Sequence, residues 1–176
     1  MCILRNCFMD IDFFYRILSV DSTSGKEGKL ADMLFAEFAA SGRKVEVFEV
    51  GDGTKNLLVS WGAPKLIFCT HLDTVPPYIP PSLPDSLCHS DHVCHPERSE
   101  GSPTPDTVFS GRGTCDAKGQ IFAMWEACKE LEARGCTDFG LLLLAGEETG
   151  SFGAKAFNKL VSENPNVFMS SPVILS

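Results

Sequence analysis

Two short segments, Leu66-Ile67-Phe68-Cys69 and Gly140-Leu141-Leu142-Leu143-Leu144-Ala145, are apolar at consecutive positions instead of alternate ones. A strand with one wet face alternates, so an unbroken run of this length belongs to a strand covered on both faces. Helices are the usual cover, and helical patterns flank both runs. Leu30, Met33, Leu34, Ala36 and Phe38 give an apolar side to a segment from about Glu27 to Ala40, ended by Gly42. Ile121, Met124, Trp125, Cys128 and Leu131 do the same for Ala117 to Arg134, ended by Gly135. Asp10 stands where it can cap a first helix carrying Phe14, Tyr15 and Leu18. A last helix is expected over about Phe152 to Val161. Alternation at Val45 and Val47 and the run Asn56 to Trp61 add two strands. This order predicts an α/β fold: a three-layer sandwich around a mostly parallel sheet.

At 176 residues the chain fits one domain. The formal charge of −8 offers no basic stripe to neutralise phosphates, so neither a nucleic acid nor an anionic membrane is expected as a partner. The first ten residues lack the basic start and sustained apolar core of a signal peptide. Six of the eight cysteines (Cys2, Cys7, Cys69, Cys115, Cys128 and Cys136) are scattered through expected strands, helices and their ends. They read as reduced thiols, and the expected location is the cytoplasm.

One segment breaks the pattern. From Pro76 to Asp106 lie eight of the eleven prolines and three of the four histidines. Proline breaks helices and cannot donate to a ladder. Residues 78–106 are therefore expected to be a disordered insertion within the domain formed by residues 1–176. Its Cys88-His89-Ser90-Asp91-His92-Val93-Cys94-His95 stretch holds zinc-ligand types, but at no familiar spacing and on no scaffold.

Three clusters could carry chemistry. His71-Leu72-Asp73 follows directly on one apolar run, and Glu147-Glu148 on the other. Ligands of open α/β sheets bind at the carboxyl ends of strands, so both clusters are expected at one edge. The His-x-Asp spacing sets both side chains on one side of an extended backbone. An imidazole there can bind zinc while a carboxylate fixes its tautomer. Alone, a histidine after a strand is more often an ordinary surface or core histidine than a ligand. Of two adjacent acids, one can bind a metal and the other can act as general base. The plainer alternative is a solvated turn opening a helix. The third cluster is Gly111-Arg112-Gly113-Thr114-Cys115-Asp116-Ala117-Lys118-Gly119-Gln120. Asp116 is either a helix N-cap or a carboxylate bridging two metals.

In order, HLDTVPP (71–77), GRGTCDAKGQ (111–120) and LLAGEETGSFGAKAF (143–157) resemble one family. It is the di-zinc peptidase family of acetylornithine deacetylase, succinyl-diaminopimelate desuccinylase, aminoacylase and glutamate-releasing carboxypeptidases. The resemblance implies two zinc ions, with cobalt or manganese as substitutes. It implies that His71 binds one zinc, that Asp73 orients it, that Asp116 bridges, that Glu148 binds the second and that Glu147 is the catalytic base. The substrate implied is an N-acyl amino acid or a short peptide, with an acetylornithine deacetylase-like activity favoured. A related dipeptidase or aminopeptidase, or an inactive remnant, is the alternative. Members of the family are longer, add a lid and dimerisation domain, and form homodimers. They also supply a further acid and a histidine, expected beyond Ser176. With only His71 and Asp116 for one metal and Asp116 and Glu148 for the other, weak metal binding and little turnover are expected of these residues alone.

Overall fold

A computed structural model describes residues 9–82, 109–164 and 173–175. The expected insertion is described only over residues 78–82. There Ser82 bridges to Ser110, and Arg112 N donates to Ile79 O. The Cys88–His95 stretch and the first eight residues lie outside the described residues.

The chain runs α1 (Ile11–Leu18), α2 (Gly28–Ala40), β1 (Lys44–Gly51), β2 (Thr54–Trp61), β3 (Leu66–His71), α3 (Lys118–Ala133), β4 (Phe139–Leu144), α4 (Phe152–Glu163) and β5 (Val173–Leu175). Asp10 caps α1 as expected, its Oδ1 accepting from Phe13 N at 2.9 Å. The strands form one sheet in the order β1-β2-β4-β3-β5. The β3–β4 and β3–β5 pairs are parallel, while β1–β2 and β2–β4 are antiparallel. The α/β expectation holds, and the sheet is mixed. One cause is local. Asp52 and Gly53 both have positive φ, 51° and 76°, and Gly51 pairs with Thr54. That is the two-residue hairpin turn Asp-Gly favours, and it makes β1 and β2 antiparallel.

The consecutive leucines of β4 show why two-sided cover was required. Leu141 and Leu143 pack toward α1, α2 and α3, with Ile17, Leu34, Phe38, Ile121 and Trp125 among their cluster. Leu142 packs on the other face with Leu58, Ile67 and Phe157 of α4. Full burial of each such side chain contributes about 1.5–3 kcal/mol. Thus helices cover both sheet faces in three layers. No helix among the described residues is long and apolar enough to cross a membrane.

Buried Asn56 on β2 fastens the exit of β4 to the start of α4. Its Oδ1 accepts from Ala145 N at 2.9 Å, and its Nδ2 donates to Gly153 O at 2.9 Å. Gly153 has no room for a side chain. A Cβ there would meet Asn56 Oδ1 and lie 2.5 Å from Ala145 O. Gly153→Ala is therefore expected to lower stability by about 1–3 kcal/mol, read as a lower urea midpoint. An unchanged midpoint would show that the crossover is free to shift.

Candidate metal centre

β3 and β4 leave the sheet side by side at their carboxyl ends. His71 lies opposite Leu144 in the parallel register, and Leu72 N donates to Leu144 O at 2.7 Å. The chain beyond β3 is held by the segment before α2. Thr23 bridges to Thr74, Ser24 N donates to Thr74 O, and Thr74 N donates to Ser22 O.

This lattice buries Asp73 completely. Its Oδ1 accepts from Glu147 N at 2.9 Å, and its Oδ2 accepts from Glu148 N at 3.0 Å and from Ser24 Oγ at 2.9 Å. Burial alone would raise its pKa. The His71 contact and these donors outweigh it and hold the carboxyl below the usual range.

His71 Nδ1 lies 3.0 Å from Asp73 O and 3.3 Å from Asp73 Oδ1. Both neighbours are acceptors, so Nδ1 carries the proton. Nε2 then faces the acids: Asp116 Oδ1 at 2.9 Å and Glu147 Oε2 at 3.9 Å. Ligand-type atoms of His71, Glu147 and Glu148 all lie within 4.8 Å of one another.

Asp116 reaches this point from a turn that needs its glycines. Gly113 has φ of 89°, and Gly119 N donates to Gly113 O at 3.0 Å. A Cβ on Gly119 would overlap Thr114 O. Asp116 is not the helix cap. The N-cap of α3 is Ala117, which makes no side-chain bond, while the Asp116 carboxylate meets His71. Lys118, fully buried, anchors the turn by donating its Nζ to Val20 O at 2.5 Å, and burial pulls its pKa down to about 8.

The donor set fits a divalent cation. Burial is the largest single influence on His71 and opposes its charge, yet Asp73 and Asp116 outweigh it together and push its pKa up to about 9. Glu148 is pushed up by burial first and then by Asp116, with Glu147 and Asp73 adding to it and His71 opposing. A cluster that keeps an imidazole protonated at neutral pH and resists ionising Glu148 has an excess of negative charge that a cation relieves. One imidazole among carboxylates suits zinc, and the oxygen-rich remainder also accepts manganese or cobalt.

The raised His71 pKa has a stability consequence with a definite sign. Its contribution in chelator-treated protein is full below pH 6.5 and is lost as pH rises through about 9. Wild type is therefore expected to lose stability over that window relative to His71→Gln, on the order of 2–3 kcal/mol. Urea titrations at pH 6 and pH 9.5 measure the difference, and parallel pH profiles would contradict it.

The structure thus brings His71, Asp73, Asp116, Glu147 and Glu148 to one edge. Sequence reasoning missed the supports Ser24, Asn56 and Lys118. Only Lys118 carried a signal, as the lysine beside the glycine that follows Asp116.

The fold and this constellation define an α/β domain with an acid-and-imidazole centre at the carboxyl ends of two adjacent parallel strands. The model of peptidase family M20/M25/M40 matches residues 67–171, and the chain belongs to that family. All five site residues lie in the matched stretch. A probable carboxypeptidase of Aspergillus fumigatus is 32% identical over 174 residues, covering 89% of this chain and 37% of that protein. The aminopeptidase PepT of Bacillus cereus aligns with a TM-score of 0.62 at 25% identity, over 86% of this chain and 39% of that one. A tripeptidase of Staphylococcus aureus shares the fold, with a TM-score of 0.65 at 23% identity over 89% of this chain and 41% of that one. The chain spans 37% of the length of the carboxypeptidase it matches.

Proposed function

We propose that this protein serves metal-dependent hydrolysis of the amide bond in short peptides. The observation that carries the reading is the convergence of His71, Glu147 and Glu148 within 4.8 Å, with Asp116 on the outward nitrogen of His71. His71 and Asp116 would hold one cation, Asp116 and Glu148 a second. Cations held there supply Lewis acidity toward the amide carbonyl and toward water. Asp73 keeps the proton on His71 Nδ1, which leaves Nε2 its lone pair. Glu147, half exposed, takes the proton of the attacking water and returns it to the leaving amine.

The named relatives are a carboxypeptidase, an aminopeptidase and a tripeptidase, which favours peptides over N-acetylornithine. Di- and tripeptides, N-blocked dipeptides and N-acetylornithine, each offered with zinc, cobalt or manganese, test the choice. Metal-dependent release of an amino acid from a peptide, abolished by chelator, is the expected result. Release from N-acetylornithine alone would move the assignment to the deacylases. Cleavage that persists undiminished in chelator would refute it.

A further inference from the structure

We propose that Glu27 is a positioning residue for the Glu147–Glu148 pair, acting through the backbone amide of Gly146. It lies outside the stretch matched by the family model, 119 residues from its partner in sequence. The side chain is 1% exposed. A carboxyl buried so deeply is costly unless something in the fold uses it. Glu27 occupies the N-cap position of α2 but makes no side-chain cap bond there. Instead its Oε1 accepts from Gly146 N at 3.2 Å. Its Oε2 has no hydrogen-bond partner among the described residues.

Gly146 is where the chain turns out of the sheet, with φ of 63°. Three successive amides of this turn therefore end on buried carboxyls. Gly146 N is held by Glu27, and Glu147 N and Glu148 N are held by Asp73. Asp73 fixes the two acids from below, and Glu27 fixes the peptide that leads into them. Without it the peptide between Ala145 and Gly146 keeps only the bond from Gly153 N to Ala145 O at 2.9 Å, and the lead into Glu147 loosens. Burial, aided by the nearby Asp73, raises the Glu27 pKa against the opposing pull of the backbone amides of Glu27, Gly146 and Gly25, so glutamine is a close stand-in. Reach matters here, since aspartate keeps the acid but withdraws it by one methylene.

The role assigned to Glu27 at the metal site rests on the hydrolase reading, whereas its grip on the turn does not. The test compares Glu27→Gln, Glu27→Asp and Glu27→Leu with Ile17→Val, a mild core change in α1. Two quantities are read: amide hydrogen exchange at Gly146, Glu147 and Glu148 relative to Leu142, and affinity for cobalt(II) by titration. Glu27→Asp and Glu27→Leu are expected to speed exchange at the turn by about tenfold or more. They should also weaken cobalt binding by about 10–100-fold, the usual cost of losing support behind a ligand. Glu27→Gln and Ile17→Val should stay within about threefold of wild type in both. If Glu27→Leu fails to fold, the contrast between Glu27→Asp and Glu27→Gln still decides. Wild-type exchange in Glu27→Asp, or an equal loss of cobalt affinity in Ile17→Val, overturns the proposal. A wild-type protein that binds no cobalt sinks the hydrolase reading, and the exchange measurement then judges Glu27 by itself.

Discussion

Glu147→Gln is expected to cut turnover by about 10²–10⁴-fold while changing metal affinity by no more than about threefold. Glutamine keeps the length and shape of the side chain but cannot accept a proton from water. The backbone of residue 147 stays in place, because its amide is held by Asp73 whatever the side chain. The two acids differ in setting. Glu147 is half exposed and 3.9 Å from His71 Nε2, so it can swing toward a substrate. Glu148 is pushed toward its neutral form by burial and by Asp116, so it has more to gain from a cation. Calorimetric titration with zinc, beside single-turnover assays, separates the roles. A Glu147→Gln variant that loses metal as severely as Glu148→Gln would make Glu147 a ligand and exchange the two assignments.

The second large effect is expected from Asp73→Ala. The change strips acceptors from Glu147 N, Glu148 N and Ser24 Oγ, and removes the carboxylate beside His71 Nδ1. Each buried donor left unpaired costs about 1–3 kcal/mol, although water entering the gap recovers part of it. A loss on the order of 3 kcal/mol in urea unfolding is expected. Metal affinity should fall about 10–100-fold as well, since His71 loses the carboxylate behind its Nδ1 and keeps only the backbone carbonyl of residue 73 there. Wild-type stability in Asp73→Ala would mean that the turn carrying the acids holds itself.

The parts legible in the sequence are those decided locally. The runs Leu66–Cys69 and Gly140–Ala145 declared two-sided burial without reference to any partner, and α1, α2 and α3 followed from spacing and stop signals. The placement of His71, Asp73, Glu147 and Glu148 at one edge was legible because each follows an apolar strand, whereas Asp116 joined them only through the resemblance of the three motifs to one family. The antiparallel β2–β4 pairing was not, because strand direction is settled between segments about 80 residues apart. The Asp52-Gly53 hairpin was a usable local signal and was overlooked. Ser24, Glu27 and Asn56 stayed hidden for a different reason. Each is a polar residue in an ordinary context, and only contacts formed across long stretches of chain give it its partner. Asn56 means little until Ala145 and Gly153 arrive on either side of it.

The two tryptophans, Trp61 on β2 and Trp125 on α3, lie with ring centroids 6.0 Å apart, and the Arg43 guanidinium rests 5.4 Å and 5.1 Å from them. Both belong to the cluster between the sheet and the layer formed by α1, α2 and α3, among the side chains that pack against Leu141 and Leu143. Intrinsic emission therefore reports on cohesion between that helical layer and the sheet. A ligand arriving at the far ends of β3 and β4 would leave the emission quiet, and a fluorophore placed at the strand mouth would have to do the watching there.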